Sequence, residues 1–327
     1  MHYRFRALLP ALCSVAWLGT TGAFAQAPAN VAKTTAAAKV TENKAWTPPR
    51  TADGKPDLQG VWSNATNVPL ERPAEGRGGR ARGPAQPGTA ADVHYDLSQY
   101  GLDRAHSKVA EDDRTSLVTT PDGRIPPRLP EAQQRAAARA AFTREHQWDG
   151  PETRPLSERC ILWPSEGPPM LSPGYNSNVQ IVQGPGYVVI EQEMIHDARI
   201  IPTDGRPHLA ANVRQWMGDS TGHWEGDTLV VDTTNFTDKT AFQGSTDTLH
   251  VVERFTRVAN DTLQYEFTVE DPHTWAQPWS AKTFWTKTDD HIYEYACQEG
   301  NHGMANNLSG ARAVERQAEE AARKQSK

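Results

Sequence analysis

The sequence predicts a mainly β protein, an antiparallel up-and-down β-barrel, and three observations carry that expectation. Between Val179 and Cys297, β-branched and aromatic residues alternate with polar ones in short runs, the period of a half-buried strand. Gly, Asn and Asp occupy the breaks between runs, as at Gly226-Asp227 and Asn260-Asp261, where tight reversals need them. The connections are mostly short, and no helix-length stretch alternates with the runs, which excludes a parallel βαβ arrangement. A β-sandwich is the alternative architecture.

Taken in order, the expected strands cover residues 179–183, 186–194, 198–202, 221–225, 228–235, 248–258, 262–270, 280–287 and 291–297. The clearest hairpin is His223-Trp224-Glu225-Gly226-Asp227-Thr228-Leu229-Val230-Val231-Asp232, and Val251 to Val269 repeats its grammar. A closed meander of this kind is lipocalin-like in general form, a likeness of architecture only.

The first 25 residues have a secretory design: Arg4 and Arg6, an apolar stretch from Ala7 to Ala23, then an Ala23-Phe24-Ala25 cleavage site. The apolar stretch is too short for a spanning helix, so a periplasmic or secreted protein with no membrane attachment after cleavage is expected. Residues 26–45 read as a disordered spacer. Residues 46–70 read as an arm that docks through Trp46 and Trp62 and adds an edge strand. Residues 71–92, rich in Gly, Arg, Pro and Ala, read as a flexible insertion. Within 93–178, Pro130 to His146 is the best helix, and a Pro-rich segment from Pro151 to Tyr175 is a lid over one end of the barrel, which itself runs from 179 to 300. The tail, 301–327, ends in a polar helix from Ala311 to Lys324.

With the signal removed, two cysteines remain, Cys160 and Cys297. In an oxidising compartment they are expected to form a disulfide, which would pin the lid segment. Loss of Arg4 and Arg6 takes the formal charge from −6 to −8, and no basic stripe is present, which argues against nucleic acid as a partner. Nothing in the residues fixes an oligomeric state.

Strand parity selects the candidate chemistry. Tyr187, Val189, Glu191 and Glu193 share one face, and Leu249, Val251, Glu253 and Phe255 share another. Carboxylates in apolar rows are costly to bury unpaired, which makes Glu191, Glu193 and Glu253 candidate general acids or bases. Salt bridges to Arg199, Arg214 or Arg254 are the structural alternative. His196, in the turn after Glu193, and His223 are expected at the barrel rim, where a histidine can move protons near neutral pH. Arg199 and Arg254 could stabilise a developing anion, and Trp216, Trp224 and Trp275 could hold a ring. No H-x-H, HExxH or Cys-x-x-Cys spacing marks a metal site, and no dinucleotide or phosphate motif marks an organic cofactor, so none is expected. Gly218-Asp219-Ser220-Thr221-Gly222 matches G-x-S-x-G, but it leads into a hairpin where the nucleophile motif requires a helix.

Gly54-Lys55-Pro56-Asp57-Leu58-Gln59-Gly60-Val61-Trp62 and Gly222-His223-Trp224-Glu225-Gly226-Asp227-Thr228-Leu229-Val230-Val231-Asp232-Thr233 resemble motifs of a large family of exported bacterial proteins. Glu253-Arg254-Phe255, Asp271-Pro272 and Pro278-Trp279 fit the same pattern. The resemblance implies export and a shared fold and supplies no catalytic roles. The residues themselves suggest a cofactor-free acid–base enzyme, of lyase or hydrolase type, acting on a small ring-containing compound. Glu191 and His196 would be the acid–base pair, with Glu253 and His223 as alternates. A small-ligand carrier or sensor without catalysis is the other reading.

Overall fold

The computed structural model describes residues 46–73, 114–240 and 242–326. The expected signal peptide, spacer and most of the 71–92 insertion lie outside the described residues.

Nine strands form one antiparallel sheet: β1 (Gly60–Ser63), β2 (Asn178–Gly184), β3 (Tyr187–Gln192), β4 (Ala198–Pro202), β5 (Asp219–Glu225), β6 (Thr228–Thr234), β7 (His250–Ala259), β8 (Thr262–Glu270) and β9 (Trp279–Thr288). Their order across the sheet is β4-β3-β2-β1-β9-β8-β7-β6-β5, so consecutive strands are neighbours throughout except β4 and β5, and β1 pairs with β9 on its other side. The β5–β6 hairpin turns at Gly226, whose φ of 59° suits a two-residue reversal. Helix α1 (Pro130–His146) starts on proline and is rich in Ala, Arg and Gln; α2 (His302–Gln325) begins where the Asn301 side chain accepts from Met304 N at 3.4 Å.

Two expectations about strands are corrected. The arm does not add an edge strand: β1 sits in the middle of the sheet, with Trp62 opposite Val179 of β2 and Lys287 of β9. Trp62 is fully buried, and its indole N–H donates to Leu58 O at 2.9 Å, so burial of a large ring anchors this short strand. The expected strand at 291–297 is irregular chain. Its place beside β9 is taken by β1, and Tyr293 is left 62% exposed with no face to bury.

Alternation along the strands places Leu229 and Val231 of β6, Val251, Glu253 and Phe255 of β7, and Leu263, Tyr265, Phe267 and Val269 of β8 on one buried face. Trp62, Phe255, Tyr265, Phe267, Trp279 and Trp285 pack it, with the Tyr265 and Trp285 rings 4.9 Å apart. The segment after α1 is joined to the region beyond β9 by a disulfide between Cys160 and Cys297, as the cysteine content suggests. This segment does more than cover the fold. Met170 enters the core, fully buried, and its N–H donates to the Tyr265 hydroxyl at 2.7 Å.

The sheet is not closed by a ninth strand pairing. Edge strands β4 and β5 share no ladder, yet they meet through side chains: Arg199 Nη2 reaches Ser220 Oγ at 3.1 Å. A Cβ on Gly222 would lie 3.0 Å from Ile201 Cγ2, so this approach depends on an absent side chain. The expected barrel is thus an antiparallel meander with a side-chain seam.

Candidate functional site

The seam is built from two strands whose alternation turns one polar side chain inward from each. On β4, Arg199 and Ile201 are buried while Ala198 and Ile200 are exposed. The Arg199 guanidinium grips Glu253 of β7 at both oxygens, 3.0 Å from Nη1 and 2.5 Å from Nη2. Glu253 is wholly buried and also accepts from the Tyr265 hydroxyl at 2.8 Å. Burial, then the neighbouring Glu253 charge, pushes the Tyr265 phenol well above its ordinary range, which keeps it a donor. Ser220 Oγ bonds Thr233 Oγ1 at 2.9 Å as well as Arg199. It lies mid-hairpin on β5, in keeping with a chance match to the nucleophile pattern.

Over this polar floor lies a pocket of about 520 Å³ lined by Asp197, Arg199, Arg214, Trp216, Met217 and Ser220, among others. One wall is β4. The opposite wall is the end of the loop joining β4 to β5, and three contacts hold that loop in place. Asn235 Nδ2 donates to Leu209 O at 3.0 Å, Thr240 Oγ1 donates to Trp216 O at 2.6 Å, and Gln215 N donates to Asn235 O at 3.0 Å. Gly218 sits at φ 69° with its Cα against Thr234 O, where a Cβ would fall 2.5 Å away, so only glycine fits this corner of the lining.

His208 clasps the same loop to the sheet. Its Nδ1 lies 2.9 Å from Asp219 and its Nε2 lies 2.9 Å from Asp232, whose other oxygen is 2.9 Å from His250 Nε2. The His250 bond, more than any other contact, holds the Asp232 carboxyl below its usual range; in turn Asp232 raises His250. Among the described residues, no three His, Cys, Asp or Glu side chains converge as a metal ligand set.

The predicted site residues are divided among several places. Arg199 and Trp216 line the seam pocket, and Glu253 lies behind Arg199. Glu253 is no free acid or base there, because three hydrogen bonds from Arg199 and Tyr265 occupy its two oxygens. Glu191 and His196 do pair, at 3.2 Å, but Glu191 shares the solvent-facing row of β3 with exposed Tyr187 and points away from the core. His223 is 58% exposed and bonds Glu225, which also takes Arg254 at 2.7 Å, so this trio decorates the outer face of the sheet. Trp224 packs at the margin of the core, while Trp275 is buried within it. The expected convergence of these residues on one rim is therefore corrected: strand parity sends Glu191, His223 and Arg254 outward and Glu253 inward.

Three further acids stand out by burial: Glu193, a candidate from the sequence, Asp197, which lines the pocket, and Glu166, which sequence reasoning missed. Burial raises the carboxyls of Asp197 and Glu193, and it pushes Glu166 up to about 8. Glu166 is fully buried and accepts from Trp163 N at 3.0 Å, while its Oε1 has no partner. Its backbone carbonyl accepts from the Gln192 side chain. The Gly167-Pro168-Pro169 run beside it was the available signal, since such a run fixes the chain without offering N–H donors.

No family model matches the chain, and no curated protein does. Among solved structures, a mutant of the fluorescent protein UnaG superposes with a TM-score of 0.22 at 10% identity, covering 35% of this chain and 72% of that one. That score is too low to bear on fold or function.

Proposed function

We propose that this chain is an exported protein of the family its motifs resemble, built on a barrel-type meander, and that it binds a small ring-containing molecule in the seam pocket. The observation that carries the reading is the pocket itself. It lies where two strand edges fail to pair, so one wall is exposed strand backbone, and an indole, a thioether and buried polar groups face the same space. The disulfide fits the oxidising compartment that export implies. Isothermal titration with small aromatic compounds tests the proposal. Saturable binding that Trp216→Ala weakens about tenfold, roughly the worth of one ring contact, supports it. Binding untouched by that change would place the ligand elsewhere.

A second reading, acid–base catalysis, is favoured by Asp197. It lines the pocket with a carboxyl that burial keeps protonated to higher pH than usual, the state a proton donor needs. Under this reading Asp197→Asn abolishes turnover of a bound ester or glycoside while affinity is kept. Unchanged turnover would remove Asp197 from the chemistry.

A further inference from the structure

A second cavity lies away from the seam, between the segment after α1 and the loop after β6. It is a groove of about 520 Å³ lined by Trp163, Leu171, Pro173, Phe242, Gly244 and Arg128, among others. Contacts outside the groove fix both of its walls. Trp163 N donates to Glu166 Oε2 at 3.0 Å, Leu171 N donates to Ser165 O at 2.8 Å, and the half-buried Trp163 ring packs edge-to-face with Tyr175, centroids 6.0 Å apart. On the other wall the Phe242 ring stacks on Trp279 at 6.2 Å. A preformed groove of this size with aromatic and proline walls suits a small ring compound.

Charge sets this groove apart from the seam. At the seam, Arg199 and Arg214 are matched by Glu253 and Asp247. Arg128 has no such match: its Nη2 donates to Gln243 O at 2.6 Å, and among the described residues no carboxylate pairs with it. Its Nε and Nη1 also lack partners, and unlike Arg199 Nε they keep solvent-accessible surface, so a molecule in the groove can reach them. Among the described residues lining the groove, Arg128 alone is charged. Glu166, next to Ser165 in the wall, is pushed up to about 8 by burial and carries little charge at neutral pH. A single negative charge therefore meets one free cation and no opposing acid, whereas a cation meets repulsion.

We infer that this groove is a second binding site, for small aromatic carboxylates, with the carboxylate received by the free N–H groups of Arg128 and the ring lying against Trp163. The inference adds a site to the seam reading and does not rest on it.

The test titrates the full-length chain calorimetrically with benzoate, methyl benzoate and benzylammonium, which share a ring and differ in charge. Benzoate is expected to bind saturably and benzylammonium not at all. Arg128→Gln is expected to weaken benzoate about tenfold, the worth of one charge-assisted bond, and to leave methyl benzoate unchanged. Arg139→Gln removes an exposed α1 arginine outside the groove and is expected to change neither. Trp216→Ala is expected to weaken the ester at the seam and leave benzoate as it was, so the two sites fail separately. Absence of benzoate binding, binding as tight to Arg128→Gln as to the parent, or benzylammonium binding as tightly as benzoate would overturn the inference, while the seam reading is judged on the ester. Loss of benzoate with Trp216→Ala in place of Arg128→Gln would put it in the seam and overturn the inference too. Equal losses with Arg128→Gln and Arg139→Gln would overturn it by showing a general attraction to exposed arginines. Should Arg128→Gln fail to fold, amide exchange in the parent decides: benzoate must slow exchange at Trp163, Ser165, Leu171 and Gln243, and protection confined to other residues overturns the site.

Discussion

Replacing Glu253 by leucine separates a structural role from a catalytic one. In the folded chain Glu253 is 0% exposed and Arg199 3% exposed, and the pair is joined at 3.0 and 2.5 Å with a third bond from Tyr265 at 2.8 Å. Glu253→Leu strands a guanidinium in the core and removes the acceptor of a buried phenol. Breaking a buried pair from one side costs about 3–5 kcal/mol, and little solvent screening offsets it here. Replacing both partners, Arg199→Met with Glu253→Leu, removes the orphan charge and leaves only the Tyr265 hydroxyl short of an acceptor. The double variant should therefore fall within about 2 kcal/mol of the parent, giving a coupling energy above about 2 kcal/mol in a double-mutant cycle. Urea unfolding at constant m supplies the four stabilities. A Glu253→Leu cost below about 1 kcal/mol, or a double variant as unstable as the two singles summed, would refute the view that this triad is a packing element.

Other predictions follow from the same geometry. Glu166 stays protonated in the fold up to about pH 8 while the unfolded chain ionises from about 4.5, so stability falls as pH rises through that window; Glu166→Gln should remove a slope on the order of 5 kcal/mol, read as melting temperature against pH, and parallel curves for variant and parent would contradict it. Cys160→Ser with Cys297→Ser opens a loop of sequence separation 137 and should cost about 5 kcal/mol in the chain-entropy model; denaturant midpoints of the oxidised parent and the variant measure it. The raised pKa of His250 means that its bond to Asp232 contributes fully below the ordinary histidine value and is lost as pH rises through the folded one, so His250→Ala should flatten the alkaline side of the stability profile, with no change of shape as the contrary result.

The hairpins were legible because β-branched and aromatic residues keep strict parity over seven to ten residues and the turns carry Gly-Asp or Asn-Asp. Strand β1 was not legible as a central strand: its four residues hold too short a period, and its position depends on Trp62 finding a cavity between strands far away in sequence. Conversely, Ile292, Tyr293 and Tyr295 look like strand residues, but no sheet edge remained for them once β1 had taken it. Glu191 and Glu253 look alike in sequence, each a carboxylate in an apolar row. Only the direction of the row distinguishes them, and that is fixed by which face β3 and β7 present to the core. The pairing of Glu253 with Arg199 was among the readings the residues allowed. The seam pocket was hidden, since it exists only because β4 and β5 are the strands left at the edges.

Amide hydrogen exchange with and without methyl benzoate tests the central claim, that ligand binds at the seam. Slowed exchange confined to Asp197–Ile200 and Arg214–Ser220, the two walls of the pocket, is the predicted result. Slowed exchange instead around the groove lined by Trp163, Phe242 and Arg128, or no change at either wall at saturating ligand, would contradict it.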